Sequence, residues 1–269
     1  FSKFYKLNKE NIIFWNFYSL SYMGGFYNLM LIPFFSKNSV VMHRDKLHQF
    51  YFNFLSNIKK FKINLLWITP TLLEFLINKN NIKNFKIKKF ISEVKYAFVG
   101  MGKSDFLSKN NFYKIFKIPI YDIYGLSEVP LFLGENIDNY KLRIQNSIGS
   151  LLPMNKIKLK NIGIKKNYEL MVKSNFMLDG YLKKNGKIFR PFNKDGFFLT
   201  GDIVNKKGKL IEIKGRLKKI IKKNGIFINL KKIENKLEKN KIIKEAFCIP
   251  IDDKIYQENY NLKIELNNK

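Results

Sequence analysis

Four side chains carry the chemistry of this sequence: Tyr124, Glu128, Asp202 and Arg216. They lie in three polar clusters: Tyr121-Asp122-Ile123-Tyr124-Gly125-Leu126-Ser127-Glu128, then Asp195-Gly196-Phe197-Phe198-Leu199-Thr200-Gly201-Asp202, then Gly215-Arg216-Leu217-Lys218-Lys219. A carboxylate such as Glu128 is a hard oxygen ligand for a divalent cation. Asp202 offers two acceptor oxygens, which suit a pair of neighbouring hydroxyls. Arg216 carries a planar fork of donors matched to oxyanions, and arginine is scarce in so lysine-rich a chain. Each residue also has an ordinary reading. Glu128 fits a solvated loop and Asp202 a turn, Arg216 fits a plain surface, and Tyr124 fits a core that draws on 14 Tyr and 26 Phe. Three clusters in one fixed order outweigh any single one, and together they point to an enzyme that handles a nucleotide.

The elements that must position these groups follow from hydrophobic periodicity. Val40 to Met42 ends a short strand, and Leu47, Phe50, Phe54, Leu55 and Ile58 repeat at helical spacing up to Lys60. Ile63 to Ile68 is an apolar run of strand length, closed by Thr69-Pro70, where proline at the first helical position launches a helix from Thr71 to Ile77. Val94 to Val99 reads as a second buried strand, Gly100-Met101-Gly102 as a turn, Phe106 to Phe116 as a helix and Ile118 to Ile123 as a third strand. This alternation predicts an α/β fold, a layered parallel sheet covered on both faces. Glu128 then falls at the carboxyl edge of that sheet, where ligands of open α/β sheets gather.

After Gly134 the texture changes. Tyr168 to Val172, Phe197 to Leu199, Ile203 to Val204 and Leu210 to Ile213 read as short strands broken by glycine turns such as Lys207-Gly208, a small antiparallel or barrel-like β-rich subdomain. From Gly215 a small α+β C-terminal domain is expected. Ile220-Ile221 and Ile226 to Ile228 flank the hairpin turn Asn224-Gly225, a helix through Leu230, Ile233 and Leu237 runs to about Glu238, and Phe247 to Pro250 is another strand. The expected domains are 1–140, 141–214 and 215–269.

Composition bounds the function classes. With 269 residues, 46% hydrophobic and 16% aromatic, the chain buries a sizeable core and is not a disordered segment. The formal charge of +29, from 50 Lys and Arg against 21 Asp and Glu, attracts polyanions. The lysines are scattered among Asn, Ile and Phe instead of forming one stripe, so no specific nucleic-acid partner is expected. Cys248 is the single cysteine, which leaves no internal disulfide and fits a reducing, cytoplasmic compartment. His43 and His48 have poor zinc spacing with no cysteine nearby. Asn11 to Ser36 carries no Asp, Glu, Lys or Arg, a length able to cross a bilayer. Asn16, Ser19, Ser21, Gly24, Gly25, Asn28 and Pro33 interrupt it, and the run reads better as a buried strand, a glycine turn and a buried helix. No transmembrane segment is expected.

In this order, the clusters resemble the adenylate-forming superfamily of acyl-CoA synthetases, aryl-CoA ligases, luciferase-like enzymes and peptide-synthetase adenylation domains. Tyr124-Gly125-Leu126-Ser127-Glu128 is similar to that family's aromatic-Gly-x-Thr-Glu signature, and Asp195 to Asp202 to its Asp-Gly-aromatic stretch ending in Thr-Gly-Asp. Gly215-Arg216, Lys222 to Gly225 and Ile233-Glu234 resemble its Gly-Arg, Lys-x-x-Gly and Ile-Glu segment. Softer matches are Tyr22-Met23-Gly24-Gly25, Thr69-Pro70-Thr71-Leu72-Leu73 and Asp179-Gly180-Tyr181. The family's phosphate-binding loop belongs upstream of Phe1, and its adenylating lysine belongs beyond Lys269. The resemblance therefore implies a fold incomplete at both ends, the middle-to-late part of a longer enzyme or else a degenerate copy.

The resemblance also implies roles. ATP or AMP is the expected nucleotide, with Tyr124 against adenine, Gly100 and Gly102 closing its other face, Gly125 in the turn, and Asp202 and Arg216 on ribose or phosphate oxygens. Glu128 is the expected Mg²⁺ ligand, and Ser127, in place of threonine, keeps the hydroxyl for phosphate. Lys218 matches the hinge of a mobile small domain. Lys222 and Gly225 match the face presented when a thiol, of coenzyme A or an acyl carrier protein, attacks the acyl-adenylate. Tyr22, Gly24, Gly25, Trp67 and Val99 are expected to line the pocket for the carboxylic acid, and their apolar, aromatic character favours a fatty or aryl acid over an amino acid. The implied activity is ATP-dependent carboxylate activation with release of pyrophosphate, followed by thioester formation. The alternatives are a catalytically incompetent AMP-binding scaffold, an adenylation domain loading a carrier protein, and a basic nucleic-acid-binding protein.

Overall fold

The computed structural model describes residues 1–9, 11–43, 45–78, 93–102, 104, 106–136, 147–163, 166–223, 226–253 and 257–267. The chain divides into two compact units, Phe1–Lys156 with Ser174–Asp179, and Ile157–Lys173 with Gly180–Lys269.

The first unit is built on a seven-stranded sheet: β1 (Ile13–Asn16), β2 (Ser39–Met42), β3 (Leu65–Ile68), β4 (Tyr96–Val99), β5 (Ile120–Tyr124), β6 (Leu133–Gly134) and β7 (Ser150–Leu151), in the order β2-β1-β3-β4-β5-β6-β7. The first five strands run parallel, β6 adds antiparallel to β5, and β7 adds antiparallel to β6. Period-two alternation divides their side chains between two cores. Leu66, Ile68, Ala97, Val99 and Ile120 point into one, and Leu65, Trp67, Phe98, Tyr121 and Ile123 into the other. The first core is closed by Phe54, Leu55 and Ile58 of α2 (Leu47–Lys60), Leu72, Leu73 and Leu76 of α3 (Pro70–Ile77), and Phe112 of α4 (Phe106–Phe116). The second is closed by Tyr5, Leu7, Leu29 and Leu152. As expected, proline starts α3, and Thr69 caps it: its Oγ1 accepts from the Leu72 N–H at 3.2 Å.

The uncharged run Asn11–Ser36 departs from expectation. Gly24 and Gly25 do not make a turn but lie inside a π-helix, Gly24–Leu31, continued by α1 (Ile32–Phe35). The turn lies upstream, closed by the Tyr22 N–H donating to the Ser19 carbonyl at 3.1 Å. A Cβ on Gly25 would stand 2.2 Å from that carbonyl oxygen, so glycine is what lets the helix begin against the turn. Nor is the helix buried all round, since Phe34 and Phe35 are 72% and 76% exposed. Among the described residues, no helix is long and apolar enough to cross a membrane.

The second unit holds two further sheets. In one, the order is β13-β12-β9-β8, from β8 (Asn155–Asn161), β9 (Tyr168–Ser174), β12 (Phe198–Lys207) and β13 (Leu210–Arg216); a separate two-stranded ribbon joins β10 (Tyr181–Leu182) to β11 (Ile188–Phe189). The other sheet has the order β15-β14-β17-β16, from β14 (Ile220–Lys223), β15 (Ile226–Asn229), β16 (Ile243–Asp253) and β17 (Gln257–Leu266), with α5 (Leu230–Leu237) beside it. Ile221, Leu230 and Cys248 form its small core. Phe197–Leu199 and Ile203–Val204, expected as separate strands, fall on one strand, β12, which begins at Phe198 and is interrupted by a bulge. Pairing runs from Leu199↔Met171 to Ile203↔Glu169, so β12 takes more residues than β9 over the same span. Gly201, at φ +71°, makes that excursion possible.

Candidate active site

In the first unit, the parallel strands deliver the expected site residues to their carboxyl ends. Ile68, Val99 and Asp122 are paired across β3, β4 and β5, so Thr69, the turn Gly100-Met101-Gly102 and the loop Tyr124–Glu128 emerge side by side. Space for a side chain is tight at one of these positions and absent at another. A Cβ on Gly100 would lie 3.1 Å from the Ile123 carbonyl oxygen, and one on Gly125 would lie 2.3 Å from the Leu131 nitrogen. The chain thus doubles back tightly just after Tyr124. The Tyr124 ring is half-buried and packs edge-on to Phe132 at 5.0 Å. Ser127 is exposed and Glu128 half-buried, and the Glu128 carbonyl accepts from the Leu178 N–H at 2.9 Å.

The expected acyl-pocket residues are distributed over several surroundings. Tyr22 is 44% exposed, and its ring faces Tyr18 at 6.2 Å. A Cβ on Gly24 would meet the Met101 sulfur at 2.7 Å, so the π-helix start reaches the glycine turn after β4. Trp67 and Val99 are buried on opposite faces of the sheet. The Trp67 Nε1 has no hydrogen-bond partner among the described residues, and it stands 3.7 Å from the Cβ position of Gly100. At the same strand edge a cavity of about 170 Å³ opens between Phe17, Tyr18, Asp45, Tyr51, Thr69 and Leu72. Burial pushes the Tyr18 hydroxyl well above the usual tyrosine range.

Behind this edge lies a buried charge cluster that the motifs do not include. The Lys109 ammonium, from α4, donates to the Asp122 carboxylate and sits 3.6 Å from Glu135 Oε1. The Ser104 hydroxyl donates to Asp122 Oδ1, and the Asp122 N–H donates to Glu135 Oε2 at 2.7 Å. Asp122 precedes Tyr124 by two positions and therefore shares its face of β5. The cluster ties together α4, the segment after the glycine turn and the strand that carries Tyr124. Its signal in the sequence is Asp122, a carboxylate in the otherwise buried run Ile118 to Ile123.

In the second unit, Asp202 and Arg216 meet. They are cross-strand partners on β12 and β13, and Arg216 Nε donates to Asp202 Oδ1 at 2.8 Å. The carboxylate is nearly sealed, with 4% of its side chain exposed, while the arginine is 63% exposed. The bulge at Gly201 aims Asp202, whose N–H donates to Thr200 Oγ1 at 3.1 Å. Asp195 is held apart from this pair by Lys158 at 2.7 Å. The lysines after Arg216 also separate. Lys219 Nζ donates to Glu234 Oε1 at 2.7 Å and to the Cys248 carbonyl at 2.9 Å, whereas Lys218 is exposed on a 3₁₀ turn. Lys222 lies on β14, opposite Phe227; its side chain, and Gly225 altogether, are outside the described residues.

Among the described residues no group of three or more His, Cys, Asp and Glu is placed to hold a metal, and His43 lies 3.4 Å from Asp45. A magnesium ion taken up with a nucleotide needs one or two protein carboxylates, with phosphates and waters completing its octahedron. Glu128, beside a glycine turn, supplies one such carboxylate.

A family model described as AMP-binding enzyme matches residues 2–182. A 2-succinylbenzoate–CoA ligase from Staphylococcus epidermidis is 27% identical over 202 residues, 74% of this chain and 40% of the relative. Among solved structures, ATP-bound MatB from Rhodopseudomonas palustris superposes with a TM-score of 0.78 at 15% identity, covering 98% of this chain and 51% of that one. An anthranilate CoA ligase, AuaEII, in complex with anthranoyl-AMP gives 0.72 at 17%, covering 96% and 49%. The chain thus spans about half the length of these solved relatives and has their fold.

Proposed function

We propose, from the premise that this chain belongs to the AMP-binding enzyme family, that it forms the nucleotide-handling part of an ATP-dependent carboxylate ligase. The acid is activated as acyl-AMP with release of pyrophosphate and then passed to a thiol, of coenzyme A or of a carrier protein. One observation carries the reading: the matched span, 2–182, contains both the Gly100–Gly102 turn and the Tyr124–Glu128 loop, which leave adjacent parallel strands at the edge where such folds bind ligands.

In this reading Tyr124 stacks on adenine, and Gly100 and Gly102 bring backbone against the base. Asp202 accepts from the ribose hydroxyls and holds Arg216 by its Nε, so that the exposed remainder of the guanidinium meets ribose or phosphate oxygens. Ser127 donates to phosphate. Glu128 would hold magnesium, whose charge neutralises the phosphates as pyrophosphate leaves. The exposed Lys218, and not the engaged Lys219, serves as the hinge between half-reactions, with Lys222 and Gly225 belonging to the second. Trp67 offers an indole N–H, without a partner among the described residues, to a polar atom of the acid, and Tyr22, Gly24 and Gly25 shape its surroundings, while Val99, expected in the same pocket, lies behind the sheet in the other core. The S. epidermidis and anthranilate ligases are named for aryl acids, which supports an aryl or fatty acid here.

The test is AMP binding by calorimetry together with acid-dependent exchange of pyrophosphate into ATP, both measured in the full-length protein. Asp202→Asn and Arg216→Lys are expected to weaken AMP binding about tenfold or more, each losing a charge-assisted bond, and Glu128→Gln to abolish exchange while AMP binding persists. Wild-type AMP affinity in the Asp202 and Arg216 variants would refute the site. AMP binding without exchange in the wild type would leave the scaffold reading in its place.

A further inference from the structure

Tyr181 to Arg190, Tyr-Leu-Lys-Lys-Asn-Gly-Lys-Ile-Phe-Arg, contains four cations and no carboxylate, and all of it is exposed. This is the β10–β11 ribbon, a sheet of two strands. Tyr181 pairs with Phe189 and Leu182 with Ile188, so one face of the ribbon carries an aromatic pair and the other an aliphatic pair. All four side chains are open to solvent over much of their surface, 40% for Tyr181, 49% for Phe189, 76% for Leu182 and 54% for Ile188. A two-stranded hairpin is at best marginally stable in water. Four apolar side chains on so thin an element are therefore explained by a surface that they enter and not by folding.

We infer that this ribbon is a docking element for an anionic phospholipid surface. Charge complementarity selects the class of partner, since cations flank the apolar residues with no acid among them. The arrangement of the rings selects lipid over single-stranded nucleic acid. Tyr181 and Phe189 lie nearly parallel, 6.4 Å apart at 13°, and the Lys183 ammonium lies over the Phe189 ring at 5.0 Å, which covers a face on which a base would stack. Leu182 and Ile188, on the opposite side, contribute nothing to a stacking platform. Aromatic and aliphatic residues at headgroup depth, with lysines reaching the phosphates, are the composition of an interfacial element. The ribbon does not depend on the proposed ligase activity, but it would hold the protein where an amphipathic acid is concentrated.

The experiment is co-sedimentation of the whole chain with phosphatidylcholine vesicles, with and without about one third phosphatidylserine. Wild type is expected to bind the anionic vesicles and not the neutral ones. Reversing Lys183 and Lys187 (K183E/K187E) should weaken binding by at least about 25-fold, roughly fivefold for each lysine removed. Y181S/F189S, with charge unchanged, should weaken it about tenfold. The control K206E/K209E, on another exposed turn of the same unit, should cost less than about threefold once salt screens distant charge. Binding lost equally in K183E/K187E and K206E/K209E would reduce the effect to net charge and overturn the inference. So would wild-type affinity in Y181S/F189S, or an oligouridine captured through the ribbon in place of vesicles.

Discussion

Replacing Lys109 by methionine isolates the buried cluster beneath the active-site edge. Lys109 is 3% exposed, and its ammonium faces two carboxylates, Asp122 and Glu135, which are 11% and 9% exposed. Lys109→Met keeps the length of the side chain and removes the ammonium that both carboxylates face, a loss expected to cost about 3–5 kcal/mol. Asp122→Asn acts differently. It leaves one carboxylate against one ammonium, while the amide oxygen accepts from Lys109 and the amide N–H₂ donates to the Ser104 hydroxyl oxygen, which turns to accept, so about 1 kcal/mol is expected. The double variant removes one of the two carboxylate charges and should recover about 2 kcal/mol of the Lys109→Met loss, a clear departure from additivity. Urea unfolding followed by tryptophan emission is the assay, because both tryptophans of the chain, Trp15 and Trp67, are buried in the first unit. The reasoning fails if Lys109→Met costs less than about 1 kcal/mol, or if Asp122→Asn costs as much as Lys109→Met.

Glu234 should give the second unit an acid-labile limb. Burial pushes its carboxyl up, but hydrogen bonds from Lys219, the Cys248 N–H and Lys231 outweigh this and hold it below the ordinary 4.5. A depressed native pKa contributes stability that is present above 4.5 and lost as pH falls through the native value. Glu234→Gln should therefore cost about 2–3 kcal/mol at neutral pH, a difference that narrows in acid denaturation below pH 4.5; a pH-independent difference would contradict the ion-pair account. The glycines should divide by what surrounds them. Gly25→Ala places a Cβ 2.2 Å from a backbone oxygen, and Gly102→Ala one 3.3 Å from a proline ring carbon. The first should lower the melting temperature by several degrees and the second by about a degree or less, and the reverse order would show that the π-helix start is not fixed by Ser19.

The parts of the fold read from sequence are those with one dominant period. The apolar runs that end at Ile68 and Ile123 decide the strands, and the helical spacing in Leu47–Lys60 decides both element and face. Where two signals compete, the reading breaks. In Asn11–Ser36 the glycine pair is a turn signal inside a helix, and only the nearby Ser19 carbonyl, invisible in one dimension, explains why glycine is there. In Phe197–Val204 glycine again suggested an interruption, but the ladder continues on both sides of a bulge. Strands β8 and β17 carry alternation, in Asn155–Asn161 and Gln257–Leu266, but their polar, lysine-rich outer positions hid it.

The candidate site was legible for a related reason, and its foundation was not. A group proposed to touch a ligand must have a particular chemistry at a particular strand end, and Tyr124, Glu128, Asp202 and Arg216 are candidates because their letters are recognisable. The groups that hold those strand ends have to satisfy one another only. Lys109, Asp122, Glu135 and Ser104 meet from four segments of the first unit, and an apolar set of the same volume would meet the same packing requirement. Yet a hint survived in Asp122, since a carboxylate in a buried strand demands a cation nearby. That demand, read forward, asks for a cation against β5 but does not choose among the lysines of so basic a chain; only the packing of α4 on the sheet selects Lys109.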